Sequence, residues 1–127
     1  MAQVLISFCM FWVLGMTQAW GQTWNMCGPL IRQYEAAHGI PPKLLTALSL
    51  VDSGRKVGGS VVAWPWTLNA NGKAYIFATK KEAVTMVRKL HRIGITSIDV
   101  GCMQVNLKQH PDAFSTLEAA FDPATNI

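Results

Sequence analysis

The feature of this sequence that most constrains its fold is an apolar run at the N-terminus. Residues 4–16 contain no charged side chain, and the run is too short to span a bilayer comfortably. Small residues follow at Ala19 and Gly21, which is where a signal peptide is normally cleaved. We therefore predict a signal peptide at residues 1–21 and a mature chain at residues 22–127, which is periplasmic or secreted.

The alternative is that this run forms a short buried helix of the folded protein. Residues 1–3 include neither Lys nor Arg, whereas the first segment of a signal peptide is normally positive. The run also lacks the polar face of an amphipathic helix, which favours the signal peptide. The whole chain of 127 residues has room for one domain, and we expect no stable membrane span after cleavage.

The cysteines agree with export. Cys9 lies in the predicted signal peptide, so Cys27 and Cys102 form an even pair in the mature chain. In an oxidising compartment such a pair is expected to form a disulfide, and two buried free thiols are the alternative. The sequence contains no closely spaced pair of cysteines and no His-x-x-x-His pattern. We therefore predict no metal site and no cofactor.

The charge balance favours an anionic partner. Eleven Lys and Arg residues against seven Asp and Glu give a formal net charge of +4, which suits nucleic acid, anionic lipid or an acidic wall polymer. The basic residues are spread from Arg32 to Lys108 rather than clustered. This spread does not indicate a nucleic-acid-binding stripe, so we predict no nucleic-acid partner.

The periodicity of apolar residues predicts a mainly α fold with one small β-hairpin. Helices are predicted at residues 29–38, 43–52 and 79–93, and a further helix is predicted to begin at His110. Leu residues surround most of the second helix, which is typical of a central, buried helix. Alternating aromatic and aliphatic residues before Asn71-Gly72 predict the hairpin. Asp122-Pro123 is a strong helix start followed by only four residues, so we expect a domain that is incomplete at its C-terminus.

Three segments of the chain resemble, in order, the motifs of the soluble lytic transglycosylase (SLT) family, a goose-type-lysozyme-like group. They are residues 48–55 (Leu-Ser-Leu-Val-Asp-Ser-Gly-Arg), 99–106 (Asp-Val-Gly-Cys-Met-Gln-Val-Asn) and 122–127 (Asp-Pro-Ala-Thr-Asn-Ile). In that family the first motif is Glu-Ser-Gly at the end of a buried helix, and the second is Gly-x-Met-Gln. The resemblance runs from about Cys27 to Ile127 and implies a lysozyme-like α+β domain.

The resemblance also implies a reaction and a partner. Family members cleave the bond between MurNAc and GlcNAc in peptidoglycan glycan strands and leave a 1,6-anhydro-MurNAc end. The catalytic Glu of the family is matched by Asp52, which is one methylene shorter. The family's third motif, Ala-Tyr-Asn, lies further on than this sequence reaches. The activity is therefore expected to be weak, or the chain is a non-catalytic peptidoglycan-binding or assembly protein that retains the fold.

Asp52 also suits the role of an acid for a reason that does not depend on the family. Cleavage of a glycosidic bond needs a protonated carboxyl group, and hence a raised pKa. The C-terminus of an apolar helix provides two causes, which are partial desolvation and the negative end of the helix dipole. The alternative is that Asp52 simply ends the helix, as Asp commonly does.

The resemblance implies that Ser53, Met103, Gln104 and Asn106 bind the substrate. Gln104 has an alternative role as a turn residue, and Met103 as a packing residue beneath the cleft. Aromatic side chains of the hairpin either stack on sugar rings or pack in the core; they are Trp64, Trp66 and Tyr75. Glu35 and Glu118 are expected to lie solvated on helices.

Overall fold

Short helices and strands alternate along residues 24–127, which are the residues that the computed structural model describes. The predicted signal peptide at residues 1–21 lies outside them. The elements are α1 (Cys27–Ala37), α2 (Leu44–Ser53), β1 (Gly54–Val57), β2 (Ser60–Ala63), β3 (Thr67–Ala70), β4 (Lys73–Ile76), α3 (Lys80–Arg92), β5 (Ile98–Val100), β6 (Val105–Asn106), α4 (Leu117–Ala120) and α5 (Pro123–Asn126).

The prediction of a mainly α fold with one hairpin is wrong. The structure is α+β, with 40% helix and 20% strand, and its strands form two antiparallel sheets. β1 pairs with β2 in the first sheet, and the second sheet has the order β4-β3-β5-β6. β5 and β6 are only three and two residues long, which is too short for an alternating pattern to identify them. β1 and β2 are four residues long but do not alternate apolar and polar residues. The turn at Gly58-Gly59, where both φ angles are positive, was the available signal for the first hairpin.

The predicted hairpin turn and the predicted ends of α3 are confirmed. Asn71 and Gly72 have φ angles of 53° and 75° and join β3 to β4, as expected for an Asn-Gly hairpin. Thr79 and Glu82 form a reciprocal capping box at the start of α3. Gly94, with φ of 83°, follows the end of that helix. These residues determine the local backbone conformation through their own hydrogen bonds and φ angles. Their role therefore does not depend on the rest of the fold.

The predicted burial of α2 on most sides is also wrong. Its inward side is formed by Ser49 and Ser53, which are 1% and 2% exposed, whereas Leu44, Leu48 and Val51 are 48%, 47% and 84% exposed. Ser49 Oγ donates to the Thr46 carbonyl at 2.9 Å, and Ser53 Oγ lies 2.9 Å from the Ser49 carbonyl. Carbonyls one turn earlier in the helix therefore help to accommodate the two buried hydroxyl groups.

The helix predicted to begin at His110 begins later, at Leu117 in α4. Residues 110–116 form turns and bends instead. The first turn of a helix is costly to form, so a short helix begins where a cap stabilises it. The side chain of Thr116 provides that cap by accepting a hydrogen bond from the backbone N–H of Ala119. α5 begins at Asp122-Pro123 as predicted, with the Asp122 carboxylate accepting from the Ala124 N–H.

Two apolar clusters form the core of the described residues. The larger one joins the second sheet to α3 and α4; its most buried large members are Leu68, Val87, Ile98, Val100 and Phe121. The smaller one consists of four buried residues, Cys27, Ile31, Ala63 and Cys102. A disulfide between Cys27 and Cys102, with 5.8 Å between the Cα atoms, ties α1 to the loop after β5. Within residues 24–127, no helix is long and apolar enough to cross a membrane.

Candidate functional site

The site is built around a contact between the end of α2 and the loop that follows β5. The buried Ser53 hydroxyl donates a hydrogen bond of 2.8 Å to the backbone carbonyl of Cys102, while also facing the Ser49 carbonyl at 2.9 Å. These residues belong to the first two segments that resemble the transglycosylase motifs. The fold therefore brings together two segments that are 49 positions apart in the sequence.

Each segment contains a glycine for which the structure gives a steric reason. A Cβ atom on Gly54 would overlap the backbone carbonyl oxygen of Leu50. A Cβ atom on Gly101 would overlap the side-chain amide of Asn126, and Gly101 also has a φ angle of 81°. A side chain at Gly101 would therefore push Asn126 of α5 away from this loop, and a side chain at Gly54 would disturb the junction between α2 and β1.

The third segment holds the same loop from the opposite side. The Asn126 side chain is 4% exposed, and its Oδ1 accepts from the backbone N–H of Met103 at 2.8 Å. Its Nδ2 donates to the carbonyls of Val100 and Ala120, at 2.9 and 2.8 Å. From the sequence, Asn126 was interpreted only as part of a motif. Its position four residues after Asp122 was a signal that the two residues lie on the same side of α5.

Asp52 lies next to this contact but points away from it. Ser53 is buried, whereas the side chain of Asp52 is exposed to solvent at the last turn of α2. Neither of the two salt bridges within residues 24–127 involves Asp52. The nearby cation of Arg55 lies over the ring of Trp64 at 4.6 Å from its centroid. The partial burial that the sequence suggested for Asp52 is therefore not present.

Gln104 has the turn role that the sequence left open. It adopts a φ angle of 50°, and its Nε2 donates to the carbonyls of Thr67 and Gly101, at 3.1 and 3.0 Å. The side-chain amide nitrogen therefore fastens the loop to β3. A substrate hydroxyl group would have to use the carbonyl oxygen of this side chain, or replace one of the two bonds.

The Asn106 amide is used fully by the fold. Its Nδ2 donates to Asp99 Oδ1 at 2.8 Å and to Ser97 Oγ at 3.1 Å. Its Oδ1 accepts from the backbone N–H groups of Lys108 and Gln109, at 3.1 and 3.0 Å. An amide has two donors and two acceptor positions, so binding of a substrate by Asn106 would require the exchange of one of these hydrogen bonds.

The aromatic residues and Met103 contribute mainly to packing. Trp64 is 8% exposed, donates from Nε1 to the Phe77 carbonyl at 2.7 Å, and contacts Trp66 edge to face at 5.4 Å. Trp66 and Tyr75 are partly buried against the larger cluster, and Met103 against the smaller one. The hairpin rings thus have the core role that was the alternative to sugar stacking.

The expectation that Glu35 lies solvated is wrong, and its structural role at the start of α2 was not predicted from the sequence. It is 4% exposed and accepts hydrogen bonds from the backbone N–H groups of Thr46 and Lys43, at 2.9 and 3.1 Å. The bond from the Thr46 N–H lowers the pKa of Glu35; burial opposes this effect, and the Lys43 N–H adds to it. Glu35 therefore caps α2 from a neighbouring helix. The signal was the absence of a capping residue at Lys43.

Glu118 has the exposed position that was expected for it. Its carboxylate accepts from Arg88 Nη2 at 2.7 Å, with about half of each side chain exposed. Hydrogen bonding to its own backbone N–H lowers the pKa of Glu118, and Arg88 lowers it further. Glu118 lies on α4 and binds Arg88 of α3. This pair therefore joins two helices at the surface.

The described residues contain no cluster of three or more His, Cys, Asp and Glu side chains that would suit a metal ion. Comparison of the chain with protein-family models, with curated proteins and with solved structures gives no match.

Proposed function

We propose that this chain is a peptidoglycan lytic transglycosylase that cleaves the bond between MurNAc and GlcNAc, with Asp52 as its acid. The observation that supports this most strongly is the hydrogen bond from Ser53 to Cys102. It joins two segments, at residues 48–55 and 99–106, that were matched to the transglycosylase motifs from sequence alone. Asp52 is the carboxylate beside that contact, exposed to an incoming polymer.

In the proposed reaction a single carboxyl group serves twice. The protonated Asp52 carboxyl group donates its proton to the bridging oxygen, and the bond from that oxygen to C1 of MurNAc breaks. The 6-hydroxyl group of the same sugar forms a bond to C1 and gives its proton to the Asp52 carboxylate. The acetamido group of the substrate assists at C1, so no second carboxylate and no water are consumed. The product end is 1,6-anhydro-MurNAc.

The side chain of Asp52 is expected to make this reaction slow. Asp is one methylene shorter than the Glu of the related motif, which withdraws the carboxyl group by about 1 Å and can cost about a hundredfold in rate. The exposure of Asp52 also leaves its carboxyl group without the apolar surroundings that favour a proton donor. Activity is therefore proposed to be weak, in a periplasmic or secreted protein.

The second candidate is a non-catalytic protein that binds peptidoglycan or assists assembly of an envelope structure. The exposure of Asp52 favours it, because a buried acid would be expected in an active enzyme.

Digestion of purified sacculi, followed by analysis of released anhydro-muropeptides, separates the two candidates. Wild-type protein should release them slowly, Asp52→Glu at least about tenfold faster, and Asp52→Asn not at all, since an amide cannot supply the proton. Asp112 is an exposed Asp in the turns before α4, so Asp112→Asn and Asp112→Glu are the matched controls and should behave as wild type.

Two outcomes would contradict the proposal in different ways. If Asp52→Asn digests sacculi as fast as wild type, Asp52 is not the acid. If neither wild type nor Asp52→Glu releases any product while both still pellet with sacculi, the chain is a binding protein.

A further inference from the structure

A groove of about 590 Å³ lies beside α3 and is separate from Asp52. Its apolar part is formed by Phe77 and Met86, which are partly buried against the larger core cluster. Its outer part carries Lys81 and Lys89, both exposed on the same side of α3. The groove thus combines a fixed apolar floor with two mobile ammonium groups at its edge.

The two lysines of the groove lack an acidic partner within residues 24–127. The salt bridges of α3 there are made by Lys80 with Asp122 and by Arg88 with Glu118, and none of these acidic side chains lines the groove. The one carboxylate that does line it is Glu82. One of its oxygens, Oε2, accepts hydrogen bonds from the backbone N–H and the hydroxyl group of Thr79, at 3.0 Å each.

The spacing of the two lysines restricts what binds between them. Lys81 and Lys89 are two helical turns apart, or about 12 Å along the axis. An extended peptide advances by about 3.4 Å per residue and repeats its facing every second residue. Side chains four residues apart on one face of such a peptide are therefore about 14 Å apart. The side chain midway between them would face Phe77 and Met86.

We propose that this groove binds an acidic peptide segment in an extended conformation, with two carboxylates four residues apart and an apolar side chain midway between them. The volume of this open groove leaves room for a short peptide segment. Duplex nucleic acid carries about one charge per 1.7 Å, which two lysines do not match. The inference is independent of the role of Asp52.

The test is an NMR titration of the isotope-labelled protein, produced from the full chain, with three acetylated and amidated pentapeptides. The first is Glu-Ser-Leu-Ser-Glu, the second is Gln-Ser-Leu-Ser-Gln, and the third is Glu-Glu-Leu-Ser-Ser, which has the composition of the first with adjacent carboxylates. The first should bind about tenfold more tightly than the second, from two exposed ion pairs, and measurably more tightly than the third. Its affinity should fall with added salt.

Charge-matched variants locate the binding. Lys81→Gln combined with Lys89→Gln should abolish the preference for the first peptide, while Lys81→Arg combined with Lys89→Arg retains it. Lys56→Gln combined with Lys108→Gln removes the same charge from exposed positions elsewhere and should bind as wild type. The proposal is overturned if the first double variant keeps the preference. It is also overturned if a single-stranded oligonucleotide or phosphatidylglycerol vesicles shift the α3 amide signals more strongly than the peptide does.

Discussion

At the scale of single residues, Glu35 shows how a charge can be placed for the fold rather than for chemistry. α2 begins at Leu44 without a side-chain cap of its own, and its first N–H groups would otherwise be unsatisfied. Glu35, from α1, accepts from two of the backbone N–H groups around that start. A carboxylate at the positive end of the helix dipole adds to the stabilisation.

The capping role of Glu35 predicts a stability that depends on pH. Since the folded state lowers the pKa of Glu35 below its ordinary value of 4.5, its contribution is fully present above that value. It is lost as the pH falls through the lower, folded pKa. Glu35→Gln should therefore destabilise the protein at pH 7 and flatten the decline in stability below about pH 4.5. Denaturant unfolding measured across pH 2–7 checks this.

Glu118→Gln is the matched control for that experiment. The pKa of Glu118 is also lowered, but its side chain is 52% exposed, so solvent screens the interaction and the pH profile should change less. Equal effects of the two substitutions would show that Glu35 is not the carboxylate on which the fold depends.

At the scale of the secondary-structure elements, α2 is the case in which residue type and burial disagree most. Its leucines and Val51 suggested a helix buried on most sides, yet the serines face inward and several apolar side chains face outward. The helix itself was predicted correctly, but its burial on most sides was not, because only one side faces the core. The direction is set by hydrogen bonds to residues far away in the sequence, such as that from Ser53 to Cys102.

This inverted helix predicts an unusual pair of mutational effects. Ser53→Ala removes a buried hydroxyl group and leaves the Cys102 carbonyl without this donor, which should cost about 1–3 kcal/mol of unfolding free energy. Val51→Ala removes more apolar surface but from a side chain that is 84% exposed, so it should change stability by less than about 0.5 kcal/mol. Denaturant unfolding of both variants measures the difference. A larger loss for Val51→Ala would mean that α2 is packed the other way round.

The same distinction separates what the sequence could predict from what it could not. The capping box at Thr79, the Asn71-Gly72 turn and the start of α5 depend on local hydrogen bonds, so their residues identify them. The strands β5 and β6 are short; β5 is held by pairing with β3, and β6 by pairing with β5. At the candidate site, Ser53, Gly54 and Gly101 could be singled out from the sequence because they belong to the segments that resemble the transglycosylase motifs. That Asn126 holds the loop became visible only with the tertiary contacts.

At the scale of the whole molecule, the disulfide predicts a simple thiol count. Cys27 and Cys102 are bonded in the structure, and Cys9 lies in the predicted signal peptide. A thiol titration under denaturing conditions should therefore find no free thiol in exported protein. One thiol would mean that the signal peptide is retained, and two or three would mean that the disulfide is not formed. Cys9→Ser is the control, since it should leave the count of processed protein unchanged. Reduction should lower stability by about 4 kcal/mol.

The 75-residue separation between the bonded cysteines also has a consequence for the order of events during synthesis. If the chain is exported from its N-terminus as proposed, it presents the Cys27 thiol long before Cys102 emerges. During that interval Cys27 is open to mixed disulfides with small thiols or with an oxidoreductase. The contact between Ser53 and Cys102 spans a similarly long interval, and such non-local contacts slow folding because loop closure must come first. The candidate site is therefore assembled late, after both hairpins have had time to form.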